Sequence, residues 1–268
     1  MNNLHRELAP ISDAAWAQIE EEATRTIKRH LAGRRVVDLH GPGGAALSSV
    51  GTGHVHTIEA PHDGVQARQR EARQLVELRV PFRLDRQAID DVKRGAQDSD
   101  WQPVKDAAGQ LAFAEDRAIF EGYPAAAIDG IRGSSTNPPV ALPADVRDYP
   151  EAIATALSQL RRAGVNGPYA VVLSSFAYTA VSETRDHGYP VLEHIQRIVN
   201  GEIVWAPAIN GAFVLTTRGG DFDLHLGQDV SIGYLGHDGD GVQLYLEETL
   251  TFIVATGEAV VALTPPAT

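Results

Sequence analysis

Cysteine is absent from the 268-residue chain, which excludes disulfides and thiolate metal centres and leaves packing or assembly to hold the protein together. No apolar run reaches the roughly 20 residues of a membrane-spanning helix, and the opening MNNLHRELAP lacks the apolar core of a signal peptide; a soluble, cytoplasmic protein with no membrane span is expected. Basic residues are scarce. The 23 Lys and Arg face 35 Asp and Glu, a formal charge of −12, and phosphate backbones need clustered cations, so no nucleic-acid partner is expected. Reaction motifs are missing as well: Ser174, Ser175 and His187 occur without a nucleophile elbow or triad spacing, and no catalytic residue is assigned.

Apolar residues make up 43% of the chain, enough for a substantial core in one large domain or two smaller ones. Ser12 precedes a run in which Trp16, Ile19, Ala23, Ile27 and Leu31 recur at helical spacing, with Gly33 as the expected stop. From Gly41 to about Leu78 the sequence has little core of its own, the pattern of an extended arm that needs a neighbour. A short helix near Ile89–Arg94 and a longer one opened by Pro103 and running to about Gly122 follow. A helix from Pro150 to Ala163, a strand from Tyr169 to Leu173 and a helix near Tyr189–Asn200 come next, and the final third is strand-rich, punctuated by Gly219-Gly220 and Gly227. The class is α+β, with two subdomains sharing strands from distant parts of the chain.

Two clusters invite a metal reading. His54-Val55-His56 puts two imidazoles on one face of a strand, with Glu59, His62 and Asp63 nearby, but no ligand spacing joins them and solvated side chains are expected. Asp238-Gly239-Asp240-Gly241 has part of a calcium-loop composition with Glu247 at the bidentate position, yet Gly236 stands where the first ligand should be; a hairpin turn is expected. No metal site is assigned.

The most specific string is VLTTRGGDFDLHLGQDVSIGY, residues 214–234, followed by LYLEETLTFIV. In fixed order beside it stand Leu8-Ala9-Pro10, Gly33-Arg34-Arg35-Val36-Val37-Asp38, Glu115-Asp116-Arg117, Gly167-Pro168-Tyr169 and His187-Gly188-Tyr189-Pro190. Together they resemble the encapsulins, especially actinobacterial members once described as linocin-type bacteriocins, over nearly the whole chain.

The resemblance implies a tailed-phage major capsid protein fold of the Hong Kong 97 type. Its parts would be an N-terminal helix and peripheral segment at 1–47, an extended loop at 48–82 and a peripheral domain with a spine helix at 83–136. An axial domain at 137–208 and a β-rich return to the peripheral domain at 209–268, axial contributions left open, would complete it. It implies self-assembly into an icosahedral nanocompartment of about sixty copies, the smallest such closed set. A cargo enzyme would be enclosed through its targeting peptide: a dye-decolorising peroxidase first, a ferritin-like protein second, with haem or iron and any oxidative-stress chemistry in the cargo. For the peptide it points to Ile27, Leu31, Arg34, Val36, Asp38, Val230, Ile232 and Tyr234. For a solute pore it points to Glu183, Thr184, Arg185, Asp186, His187, Gly188 and Tyr189. No cofactor is expected in the shell. Some encapsulins bind flavin beside an aromatic residue after the extended loop, but the matching LDRQAIDDV has Gln87 and no aromatic, so flavin is not carried over. Related proteins have been recovered outside cells. A prophage capsid protein and a protease or bacteriocin-like activity are the alternative readings.

Overall fold

The computed structural model describes residues 3–265. The first helix, α1 (Asp13–His30), starts where the Ser12 hydroxyl accepts a hydrogen bond from the Ala15 N–H, and it buries Ala15, Trp16, Ile19, Ala23 and Ile27 as one stripe. It ends three residues before the expected stop at Gly33, because Leu31 turns to extended backbone. Gly33 has another role. A Cβ there would lie 2.5 Å from Ile119 Cδ1, and its N–H reaches Asp116 Oδ1 at 2.8 Å, so the turn after α1 is welded to a second helix.

After strand β1 (Asp38–His40) come β2 (Ser49–Ile58) and β3 (Ala67–Gln74), an exposed antiparallel hairpin whose strands pair only with each other. Strand β4 (Val76–Asp85) leaves this arm and returns to the body. There follow α2 (Arg86–Lys93), the long α3 (Gln102–Phe120), opened by Pro103 in its first turn, and the short α4 (Gly130–Ser134).

The second half begins with β5 (Val140–Ala141), α5 (Tyr149–Arg162) and β6 (Tyr169–Ser174). Helix α6 (Ser175–Glu183), which no local signal announces, follows at once: Ser174 is its cap, accepting from the Ala177 N–H. A miniature hairpin, β7 (Arg185–Asp186) and β8 (Tyr189–Pro190), leads to α7 (Val191–Val199). The remaining strands are β9 (Glu202–Ala206), β10 (Ala212–Thr216), β11 (Phe222–Leu226), β12 (Ser231–His237), β13 (Gly241–Val254) and β14 (Val260–Thr264).

Two five-stranded sheets organise these elements. In the first, β11 and β12 lie in succession along β13, β1 extends β11 in parallel, and β4 pairs with β13 from Gly241↔Asp85 to Leu250↔Val76. Helices α1, α2 and α3 cover it over a core of Trp16, Ile19, Leu84, Leu111, Leu244 and Leu246. The second sheet runs β5-β14-β10-β6-β9 and is covered by α5 and α7 through Ile153, Leu157, Leu160, Val171 and Ile195. A third cluster, with Phe120, Phe213, Leu224 and Phe252, joins the sheets. Residues 209–264 serve both sheets, since β10 and β14 join the second while β11–β13 build the first.

Candidate functional site

Between α1 and the start of β12 runs a groove of about 630 Å³. Helical spacing supplies one wall, because Glu20, Ala23, Thr24, Ile27, Lys28 and Leu31 share one face of α1. The other wall holds Asp229, Val230, Ser231 and Ile232, with Leu246 behind; Leu4, Arg6, Arg34 and Arg35 complete the lining. Of the residues singled out by the sequence, Ile27, Leu31, Arg34, Val230 and Ile232 meet here.

The other three stand apart. Val36 is buried, and it lines with Asp38 a separate depression of about 120 Å³, where Asp38 accepts from the Gly220 N–H at 2.5 Å. Tyr234 lies one step along β12, with its hydroxyl on the His237 ring and its N–H donating to the Leu4 carbonyl at 2.8 Å. Ala23 and Lys28 line the groove without being among the peptide-binding residues the resemblance points to. Ala23 was legible as part of the α1 stripe, whereas the pairing that puts Leu246 behind Ile232 has no local signal.

Beneath the groove lies a buried ion network. The Arg34 guanidinium donates to Glu115 through Nε at 2.8 Å and Nη2 at 2.6 Å, to Asp229 through Nη1 at 2.8 Å, and to Glu248 through Nη2 at 3.1 Å. Burial would lower the Arg34 pKa, but the Glu115 and Asp229 carboxylates outweigh it and hold the group above its ordinary value. Glu248 is pushed well above the ordinary carboxylate range, first by burial and then by the neighbouring Glu115. Its buried Oε1 has no hydrogen-bond partner among the described protein atoms. Burial also pushes Asp116 up to about 7, against the pull of the Ala32 and Gly33 N–H groups.

The second predicted cluster lies at the end of α6 and in a separate two-stranded hairpin. Glu183 ends α6, Thr184 caps it, and Arg185–Tyr189 form the β7–β8 hairpin, with His187 and Gly188 at φ 46° and 89° making its tip. The His187 side chain is 92% exposed, so the tip presents imidazole, carboxylate and guanidinium groups to solvent. Among the described residues no group of three His, Asp or Glu is arranged to hold a metal ion. His56 bonds Gln69 in the arm, and Asp238 closes the β12–β13 turn by accepting from the Asp240 and Gly241 N–H groups. The same Ser174 hydroxyl weighed for nucleophilic chemistry is buried in a helix cap.

A family model described as "Encapsulating protein for peroxidase" matches residues 1–251. The type 1 encapsulin shell protein of Rhodococcus erythropolis is 64% identical over 98% of this chain and 100% of its own length. That of Mycobacterium tuberculosis is 63% identical over 98% and 99%. The chain belongs to the encapsulin family. The curated relatives are named as shell proteins, a structural role. The fold reaches further than sequence: a virus-like particle from Pyrococcus furiosus superposes with TM-score 0.64 at 18% identity, covering 92% of this chain and 98% of that one. A structure from Mycobacterium phage Bobi gives 0.57 at 16% identity, covering 89% and 91%. This encapsulin therefore has the tailed-phage capsid fold, and among its described residues no helix is long and apolar enough to cross a membrane.

Proposed function

We propose that the chain assembles with copies of itself into a closed icosahedral shell of about sixty subunits that encloses a cargo enzyme in the cytoplasm. The groove between α1 and β12 receives the cargo's targeting peptide, and the Glu183–Tyr189 loop lines an opening that admits small polar solutes. The description of the matching family favours a peroxidase as cargo; a dye-decolorising peroxidase is the first candidate and a ferritin-like protein the second. Haem or iron then enters with the cargo.

One observation carries the peptide assignment. Aliphatic side chains of α1 and β12 face one another across an open trough of about 630 Å³ that is flanked by ionic groups, the form suited to an extended segment with small apolar side chains. Each groove can be weak, because an oligomeric cargo engages several at once. Half-buried Val230 supplies a test. Val230→Glu places a charge in the groove, so shells co-expressed with a tail-bearing peroxidase should close normally but carry at least about tenfold less haem per shell, as a loss of about 1.4 kcal/mol per contact implies. Unchanged haem loading in closed Val230→Glu shells would remove the groove from cargo capture.

A further inference from the structure

We infer that the groove takes its peptide as an added β-strand, hydrogen-bonded to the outer edge of β12 at Ile232. This deepens the peptide reading above and rests on it. The parity of β12 fixes which backbone groups are available. Tyr234 N–H points away from β13, since it donates to the Leu4 carbonyl at 2.8 Å, and backbone groups alternate sides every residue along a strand. Ile232, two residues earlier and opposite Leu246 in the unbroken part of the register, therefore turns its N–H and C=O to that same outer edge. Among the described residues the edge is covered on either side of Ile232: β1 pairs with Asp223–His225, Gly43 and Gly44 donate to the carbonyls of Leu226 and Gly227, and Leu4 takes Tyr234. The gap between these covers is the groove.

Leu4, in the turn before the 3-10 helix at Arg6–Leu8, takes the outer-edge N–H of Tyr234, so this edge already accepts a main-chain partner two residues beyond Ile232. A strand laid beside Ile232 would exchange two hydrogen bonds with it, and its alternate side chains would meet Ala23, Ile27, Leu31 and Leu246. The α1 wall from Glu20 to Leu31 is about 16 Å long at 1.5 Å per residue, which accommodates about five extended residues. The occupant is thus a short extended peptide with aliphatic residues at every second position, recognised by main-chain pairing as well as by apolar contact.

The test uses fluorescein-labelled Ser-Val-Ala-Leu-Ala-Val-Ser and a set in which each inner amide is N-methylated in turn, each mixed over a concentration series with disassembled full-length protein that is then reassembled in its presence, with binding read by fluorescence anisotropy. Edge pairing uses only every second peptide N–H. Methylation should therefore weaken binding by about tenfold or more at one parity and by less than about threefold at the other. Hydrogen exchange should slow at the Ile232 amide on saturation with the parent peptide and stay unchanged at Tyr234, whose N–H is already bonded. Parent binding with uniform N-methyl effects and an unprotected Ile232 amide would overturn strand addition while leaving the groove as the peptide site. A parent peptide that fails to bind would overturn both.

Discussion

Arg34 joins four distant parts of the chain, because its guanidinium contacts Glu115 on α3, Glu248 on β13 and Asp229 ahead of β12 from a turn just after α1. Glu115 and Glu248 are fully buried, so truncation leaves them without their cation. Removing one partner of a buried pair costs roughly 3–5 kcal/mol. Arg34→Ala should therefore lower the unfolding free energy of the purified protein, measured by denaturant titration, by an amount of that order, whereas Glu202→Ala, at the exposed Arg35 pair, should change it by about 1 kcal/mol or less. The carboxylates also set a pH dependence of unusual sign. Asp116, pushed up to about 7, and Glu248, also raised, bind more protons folded than unfolded. Their destabilisation is absent below about pH 4 and develops as pH rises through the folded-state values, near 7 for Asp116. Glu248→Gln keeps the shape without an ionisable proton. Thermal scans from pH 5 to pH 9 should show this variant losing less stability toward alkaline pH than the parent; parallel curves would refute a protonated Glu248.

At the scale of elements, the joint between α3 and α4 is set by two glycines. A Cβ on Gly130, at φ 70°, would lie 2.3 Å from the Gly122 nitrogen and 2.6 Å from its Cα, so backbone meets backbone with no side chain able to yield. Gly130→Ala should cost more than about 1 kcal/mol from the left-handed conformation alone, with the clash in addition. Gly133→Ala, where a Cβ has nothing within 4 Å, is the control, and urea unfolding of the two should separate them clearly.

The helices were legible in the sequence because their signals are local: Ser12 and Pro103 mark helix starts, and the Trp16–Ile27 stripe repeats at a helical period. The strand-rich final third was legible as strands but not as two sheets, because the sorting of β10 and β14 from β11–β13 depends on partners more than forty residues away, such as Val214↔Val171. Helix α6 escaped notice because Ser174 ends a strand and caps a helix in the same step, leaving no turn residues between them. In the groove, the α1 side followed from periodicity. The separation of Val36 and Asp38 from it did not, because the turn at Gly33–Arg35 sends them to the opposite side of Arg34, a direction set by the long-range bonds to Asp116 and Glu115.

For the whole molecule, the arm is the feature that a single chain leaves incomplete. Its two strands pair only with each other, and Val55, Ile58 and Val65 stand exposed on it. An isolated two-stranded hairpin is marginal in water and an exposed edge invites pairing, so the proposed shell would supply the neighbour this arm needs. Folding of the arm and closure of the shell are then linked, and apparent stability rises with assembly. The measurement that tests this account most directly is electron microscopy of the chain expressed and purified alone, combined with native mass measurement. The account predicts uniform closed icosahedral particles with a mass of about sixty subunits; a stable monomer or small oligomer across assembly conditions would contradict it.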